Sequence, residues 1–309
     1  MTSSEGDRPL RVGVQLPEVE RVVRWPELRD MARAAEEVGF DSIWVGDHLL
    51  YRDPGQPPRG PWEAWSTLAA LAAVTERVRL GPLVASVSFH NPAMLAKKAA
   101  AVDEISGGRL ILGIGAGWNE PEYRAFGFPF DHRVERFEEA FTIIRGLLRE
   151  GRVDFSGRYQ QARDVLLLPP PRRPGGPPIM VGTVGPRMLR IAAEHADAWN
   201  AWFSWYGNSV EGLRDLLRKV DAACADVGRD PATLERTVAV LVHMEDQPVD
   251  RRGSTYTDVR PIRPPQLAEH LRALAAEGIT HVQLVVDPIE TRSIERLGPV
   301  LDALGSPRI

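Results

Sequence analysis

The chain has 309 residues, 43% of them hydrophobic and 26% charged, with a formal net charge of −4. That make-up belongs to a soluble globular protein with room for one large domain. The acidic balance argues against nucleic acid as a partner, since binding it asks for a clustered basic face. No apolar run approaches the roughly 20 residues of a membrane helix, so no membrane contact is expected. The single cysteine, Cys224, cannot pair within the chain, which suits a reducing, cytoplasmic setting. It falls in helical phase with Leu213, Leu217 and Val220, on a stripe that should be buried.

Residues 1–9 are polar, lack the apolar core of a secretion signal and read as a disordered tail, leaving 10–309 as one domain. Arg11–Gln15 predicts the first strand, followed by a helix carrying Leu28, Met31, Ala35 and Val38 on one face. A second strand over 42–46 and a helix over Ala64–Val74 come next. Strands over 78–86 and 109–115 flank a helix with Leu95, Ala99 and Val102 in phase, begun by Asn91-Pro92 as cap and first turn. The stripe Val134, Phe137, Phe141, Ile144 and Leu148 marks the clearest helix. Four more strands follow over 178–181, 197–202, 237–242 and 281–286. Helices over Pro186–His195, 209–227, 265–277 and 291–304 come after them in turn.

Strands such as Leu110-Ile111-Leu112 and Leu284-Val285-Val286 are apolar on consecutive residues, the mark of strands covered on both faces. Eight strands alternating with eight helices predict an α/β fold, a (β/α)8 TIM barrel with rim insertions. Segments 47–63, 116–132 and 243–264 follow strands and so belong to the catalytic rim, the last reading as a mobile lid. Segment 151–177, rich in proline and glycine, reads as an irregular crossing.

Four strand ends carry unusual residues. Asp47-His48 follows the second strand, where a carboxylate beside an imidazole can serve acid–base chemistry; the bland alternative is a capping Asp and a hydrogen-bonded His. Gly113-Ile114-Gly115-Ala116-Gly117-Trp118 ends the fourth strand, and its glycines admit either a ligand or tight corner packing. Gly182-Thr183-Val184-Gly185 precedes a helix opened by Pro186, a place where free amides attract phosphate, with Arg187 as a further contact. Pro82 lies inside the third strand, where it predicts a bulge or a cis peptide. His281 reads as a satisfied histidine at a strand edge. No His/Cys/Asp/Glu cluster has metal-ligand spacing, so no metal is expected.

Taken as an ordered set, these segments resemble the luciferase-like monooxygenase superfamily, in particular its coenzyme F420-dependent oxidoreductase branch. The matching text runs through Gly39-Phe40-Asp41-Ser42-Ile43-Trp44-Val45-Gly46-Asp47-His48 and Arg77-Val78-Arg79-Leu80-Gly81. It continues in Asn91-Pro92-Ala93-Met94-Leu95-Ala96-Lys97, Ser106-Gly107-Gly108-Arg109-Leu110, 113–123 and 178–199. The resemblance implies a deazaflavin or flavin ring laid across the barrel mouth, over a strand-three bulge formed here by Pro82, Leu83 and Val84. It implies a phosphate site at Gly182, Thr183, Val184 and Gly185, and a cofactor border at Ala116, Gly117 and Trp118. It makes His48 the acid–base residue, with Asp47 holding its tautomer or touching the cofactor. The family's sugar-phosphate dehydrogenases carry a catalytic glutamate where Trp118 stands and a tryptophan soon after the Asp-His pair, where this chain has Tyr51 and Arg52. Oxidation of a sugar phosphate is therefore not expected.

Three functions follow from this reading. The first is an oxidoreductase that transfers hydride between F420 and a small-molecule substrate. The second is a two-component monooxygenase that uses reduced FMN and O2. The third is a non-catalytic flavin-binding protein. Beyond the substrate, the partners weighed are a second copy of the chain, as a homodimer, and an F420 or flavin reductase that supplies the cofactor.

Overall fold

The computed structural model describes residues 8–244 and 259–305. The chain runs through β1 (Arg11–Gln15), α1 (Trp25–Val38), β2 (Ser42–Val45), α2 (Ala64–Val74), β3 (Arg79–Pro82), β4 (Ala85–Ser86) and α3 (Pro92–Ile105). After β5 (Leu112–Gly115) come α4 (Glu120–Phe126), α5 (Arg133–Glu150), a hairpin of β6 (Arg152–Ser156) and β7 (Gln161–Leu166), and β8 (Ile179–Gly182). The remainder is α6 (Pro186–His195), β9 (Ala198–Ala201), α7 (Val210–Asp226), β10 (Glu235–His243), α8 (Pro264–Ala276), β11 (His281–Asp287), α9 (Thr291–Glu295) and α10 (Gly298–Leu304).

Nine strands form one parallel sheet in the order β3-β2-β1-β11-β10-β9-β8-β5-β4. The two end strands are halves of one run of chain, the 78–86 strand of the sequence reading, and both meet β5. Ala85 and Ser86 pair with Ile114 and Gly115, while Leu80 bridges to Leu110 and accepts a hydrogen bond from the Ile111 amide at 2.8 Å. The sheet thereby closes into the expected (β/α)8 barrel. Pro82 cannot donate to the ladder and ends β3. The cis peptide lies one residue further on, between Leu83 and Val84.

Helices surround the sheet because their apolar stripes need cover. Leu28, Met31 and Ala35 of α1, and Phe137, Phe141, Ile144 and Leu148 of α5, are buried against the strands, each large one contributing about 1.5–3 kcal/mol. Asn91 caps α3 by accepting the Met94 amide, as its place before Pro92 predicts. Inside the barrel a second layer packs Trp44, Leu83, Ile111, Met180 and Ala198 together. His281 is not at an edge: it lies buried in this interior, 2.7 Å from the Ser42 hydroxyl, which also accepts the Trp44 indole N–H at 2.8 Å. Cys224 is buried on α7 as expected.

Three further expectations change. Segment 151–177 contains the antiparallel β6–β7 hairpin and is not irregular throughout. The 291–304 helix is two helices, divided before Gly298 and Pro299. Arg8, assigned to the polar tail, is buried: its guanidinium reaches the Asp41 carboxylate and the Gly39 carbonyl at 3.1 Å each and donates to Gly305 O at 3.1 Å. The stretch read as a lid falls largely on 245–258, outside the described residues. Among the described residues no helix is long and apolar enough to cross a membrane.

Candidate active site

A cavity of about 640 Å³ opens at the C-terminal ends of the strands, within the range of small-molecule and cofactor sites. Of the residues singled out from sequence, it is lined by Asp47, His48, Leu83, Val84, Ala116, Gly117, Trp118, Gly182, Thr183, Val184 and Gly185. Pro82 is the exception. It is buried in β3 and does not reach the cavity.

The floor is built around Val84. A side chain added at Gly115 would meet its Cγ2 at 2.9 Å, and one added at Gly182 would meet it at 3.0 Å. Glycine at both positions lets β5 and β8 close over the bulge while their backbone faces the opening. Gly117 serves packing as well: at φ +76° its missing side chain leaves room for the Tyr123 hydroxyl, which donates to Ala116 O at 2.9 Å. The glycine run thus serves tight corner packing, and Gly115, Ala116 and Gly117 also line the cavity.

At Gly185 the situation is reversed. It is the N-cap of α6 with ordinary φ of −74°, and an added Cβ would meet nothing within 4 Å. Open space thus faces the first turn of a helix, where unbonded amides and the helix dipole favour an anion. Thr183 supports the turn by accepting the Gly185 amide at 3.3 Å, and its carbonyl accepts the Trp199 indole N–H at 2.7 Å. Arg187 does not contribute; it pairs with Glu135 and Glu138 on the outer surface of α5. The guanidinium at the cavity belongs to Arg133, seated 3.9 Å from the Phe130 ring centre and donating to Gly117 O at 3.4 Å.

Asp47 and His48 turn to different partners. The buried Asp47 carboxylate accepts the Ser86 amide at 2.9 Å and lies 3.0 Å from His90 Nε2. Burial raises its pKa against the opposing pull of His90 and Ser86. Asp47 therefore ties β2 to β4 and does not orient His48. That task falls to Glu122, whose carboxylate is 1% exposed and lies 2.8 Å from His48 Nδ1. Its other oxygen accepts the Leu49 and Leu50 amides at 2.8 and 3.2 Å. A carboxylate can only accept, so the neutral imidazole carries its proton on Nδ1 and keeps a lone pair on Nε2. Burial works against the imidazolium, but Glu18, Glu122 and Asp47 outweigh it and hold the His48 pKa above its ordinary value.

Two carboxylates of this site are not among the residues that the sequence singles out. Glu122 sits on α4 within rim segment 116–132, two residues from Glu120, which is exposed and pairs with Arg124. Pro121 in the first turn of α4 is the available signal, but which acid faces inward depends on how the helix docks. Glu18 lies just beyond β1, packed against Gly46 so closely that any side chain there would collide with its carboxyl. One Glu18 oxygen accepts from Gln15 Nε2 at 3.3 Å; the other is buried with no hydrogen-bond partner among the described residues. Desolvation raises the Glu18 pKa to about 7, against the pull of His48.

A parallel barrel, a half-buried His48 held by a buried Glu122 at its mouth, and the N-terminus of α6 on the same cavity are thus in place. A family model described as luciferase-like monooxygenase matches residues 9–280. The chain belongs to that family. Among curated relatives of this luciferase-like chain is the phthiodiolone/phenolphthiodiolone dimycocerosates ketoreductase of Mycobacterium tuberculosis, 34% identical over an alignment of 231 residues that covers 67% of this chain and 58% of that protein. The F420-dependent glucose-6-phosphate dehydrogenase of Intrasporangium calvum is 34% identical over an alignment of 237 residues that covers 72% of this chain and 66% of its own. The matched stretch thus spans 58% and 66% of the length of these two relatives. Among solved structures, an F420-dependent secondary alcohol dehydrogenase in complex with an F420-acetone adduct superposes with a TM-score of 0.79 at 19% identity, over 96% of this chain and 99% of that one. The last likeness bears on fold.

Proposed function

We propose that this luciferase-like chain is an oxidoreductase that transfers a hydride between coenzyme F420 and a small organic substrate, with His48 exchanging the accompanying proton. The observation that carries the proposal is the His48–Glu122 dyad, 2.8 Å apart on the wall of a cavity that is also lined by the N-terminus of α6. The F420-dependent glucose-6-phosphate dehydrogenase named above, 34% identical, supports the choice of cofactor.

The residues present fit such a group. Leu83, Val84 and Met188 offer an apolar bed, and the open space at Gly185 offers the α6 amides to a phosphodiester. When bound, F420 supplies or accepts the hydride. The chain supplies the rest. Glu122 fixes the imidazole so that Nε2 is the atom that gives or takes a proton at the substrate oxygen. Glu18 and Glu122 stabilise the charge His48 acquires. Asp47 holds β2 against β4 and so keeps the cavity wall in register.

Titration of the protein with F420 and with FMN, read by quenching of cofactor fluorescence, tests the choice. Micromolar binding of F420 is the expected result. Binding of FMN with none of F420 would overturn it in favour of the flavin monooxygenase reading.

A further inference from the structure

A second cavity, of about 250 Å³, lies where the segment after β1 meets the one before α2, with Arg21, Arg24, Trp62 and Thr67 in its wall. It reaches the surface, since Val22 and Trp62 of the same wall are 74% and 54% exposed. Among the described residues, Glu18 alone lines both this cavity and the one that holds His48. Gly46 makes that position possible, because a side chain there would meet the Glu18 carboxyl at 2.2 Å. The carboxyl is held more loosely than its neighbours. Glu122 accepts two amides and lies on His48 Nδ1, and Asp47 accepts the Ser86 amide and faces His90. Protonating either would oppose the donors aimed at it. Glu18 has the Gln15 amide at 3.3 Å and one oxygen with no hydrogen-bond partner among the described residues, so it can take up and release a proton at small structural cost. Its pKa of about 7 stands close to the imidazole range, and the charged groups acting on it are His48, Glu20, Glu122 and Asp47.

We propose that Glu18 relays the proton of His48 between the two cavities, so that the imidazole exchanges it with solvent through the second cavity while ligands fill the first. This rests on the reading of His48 as the proton-exchanging group and adds the route its proton takes. Ligands that fill the first cavity expel water from the His48 side, which makes a separate route necessary. In the step the His48 Nε2–H bond breaks, an O–H bond forms on the Glu18 carboxylate, and that proton then leaves to water in the second cavity. The reverse reloads the imidazole, and no electrons change hands. The second cavity has room and polar neighbours for such water. Glu18 acts through His48 and leaves the reacting atoms to it.

The test follows the His48 imidazole by NMR in the full chain, reading its proton-exchange rate by relaxation dispersion at the titration midpoint of each protein. Each rate is measured without ligand and with F420 at saturation. The ratio of the two is the readout, because a shifted His48 pKa or a loosened fold acts on both. In the parent the bound rate should stay close to the free one. In Glu18→Gln it should fall at least about 10-fold below it, since an amide cannot carry the proton. Thr67→Phe fills the second cavity and leaves Glu18 in place, and it should lower the ratio as well. Melting temperatures should show that both variants are folded. A ratio that collapses in the parent, or is unchanged in Glu18→Gln, overturns the relay. A ratio lowered by Glu18→Gln and unmoved by Thr67→Phe overturns the route through the second cavity. If FMN binds and F420 does not, the cofactor reading fails, and the same ratios taken with FMN decide the relay.

Discussion

His48 and Glu122, 74 residues apart in the chain, meet at 2.8 Å between the end of β2 and the helix α4. The pairing decides which imidazole nitrogen faces the cavity. It also makes the carboxylate next to His48 in sequence irrelevant to its tautomer.

Replacement of either member of the dyad separates proton exchange from binding. His48→Ala should lower the single-turnover rate about 10²–10⁴-fold with cofactor affinity nearly unchanged. Glu122→Gln keeps the size of the side chain but permits the other tautomer, so the rate should fall and the imidazole ¹⁵N shifts should move together. A near-normal rate in the first variant would return His48 to a structural role, and unchanged ¹⁵N shifts in the second would remove Glu122 from its orientation.

Glu18 predicts a pH dependence. Its pKa is raised from 4.5 to about 7. Between those values the unfolded chain ionises while the folded one stays neutral, so stability is lost as pH rises through that window and levels off above it. Glu18→Gln abolishes this loss: it should match the parent near pH 4.5 and unfold at higher temperature than the parent near pH 8. Glu18 is also the leading charge that raises the His48 pKa. An NMR titration of His48 in the variant should therefore show a lower midpoint, and a midpoint that stays put would break the coupling.

Gly185→Val places a branched side chain in the open space over α6 without backbone strain, since φ is −74°. F420 affinity should drop at least about 10-fold while the melting temperature holds. Unchanged affinity would move the phosphate elsewhere.

Arg8 tests the fold. Its guanidinium and the Asp41 carboxylate are 2% and 4% exposed, and the same carboxylate accepts the Val12 amide at 2.7 Å. Arg8→Ala leaves that carboxylate buried without its counter-charge, a loss of about 3–5 kcal/mol, which should appear as a large fall in melting temperature. A shift of a degree or less would mean the ion pair contributes nothing.

The sequence determined on its own whatever depends on local period or local chemistry. Consecutive apolar runs announced strands covered on both faces, helical stripes such as Phe137, Phe141 and Ile144 announced the outer layer, and Asn91-Pro92 announced a helix start. Alternation then implied the barrel, and the barrel implied that segments after strands share one rim, which is why Asp47, His48, Trp118 and Gly182 to Gly185 could be assigned to one cavity in advance. What only the tertiary structure decided is which side chains on that rim touch. Glu122 and Glu120 look alike in sequence, and only the docking of α4 against the β2 loop buries one and exposes the other. Arg187, expected near the phosphate, turns to Glu135 and Glu138, while Arg133, which no motif singled out, stands at the cavity. Arg8 looked like part of a solvated tail, yet burial beside Asp41 makes it part of the barrel. Period and propensity act over a few residues, whereas the partner of a buried charge is chosen by three-dimensional closure of the barrel, and no window along the chain contains it.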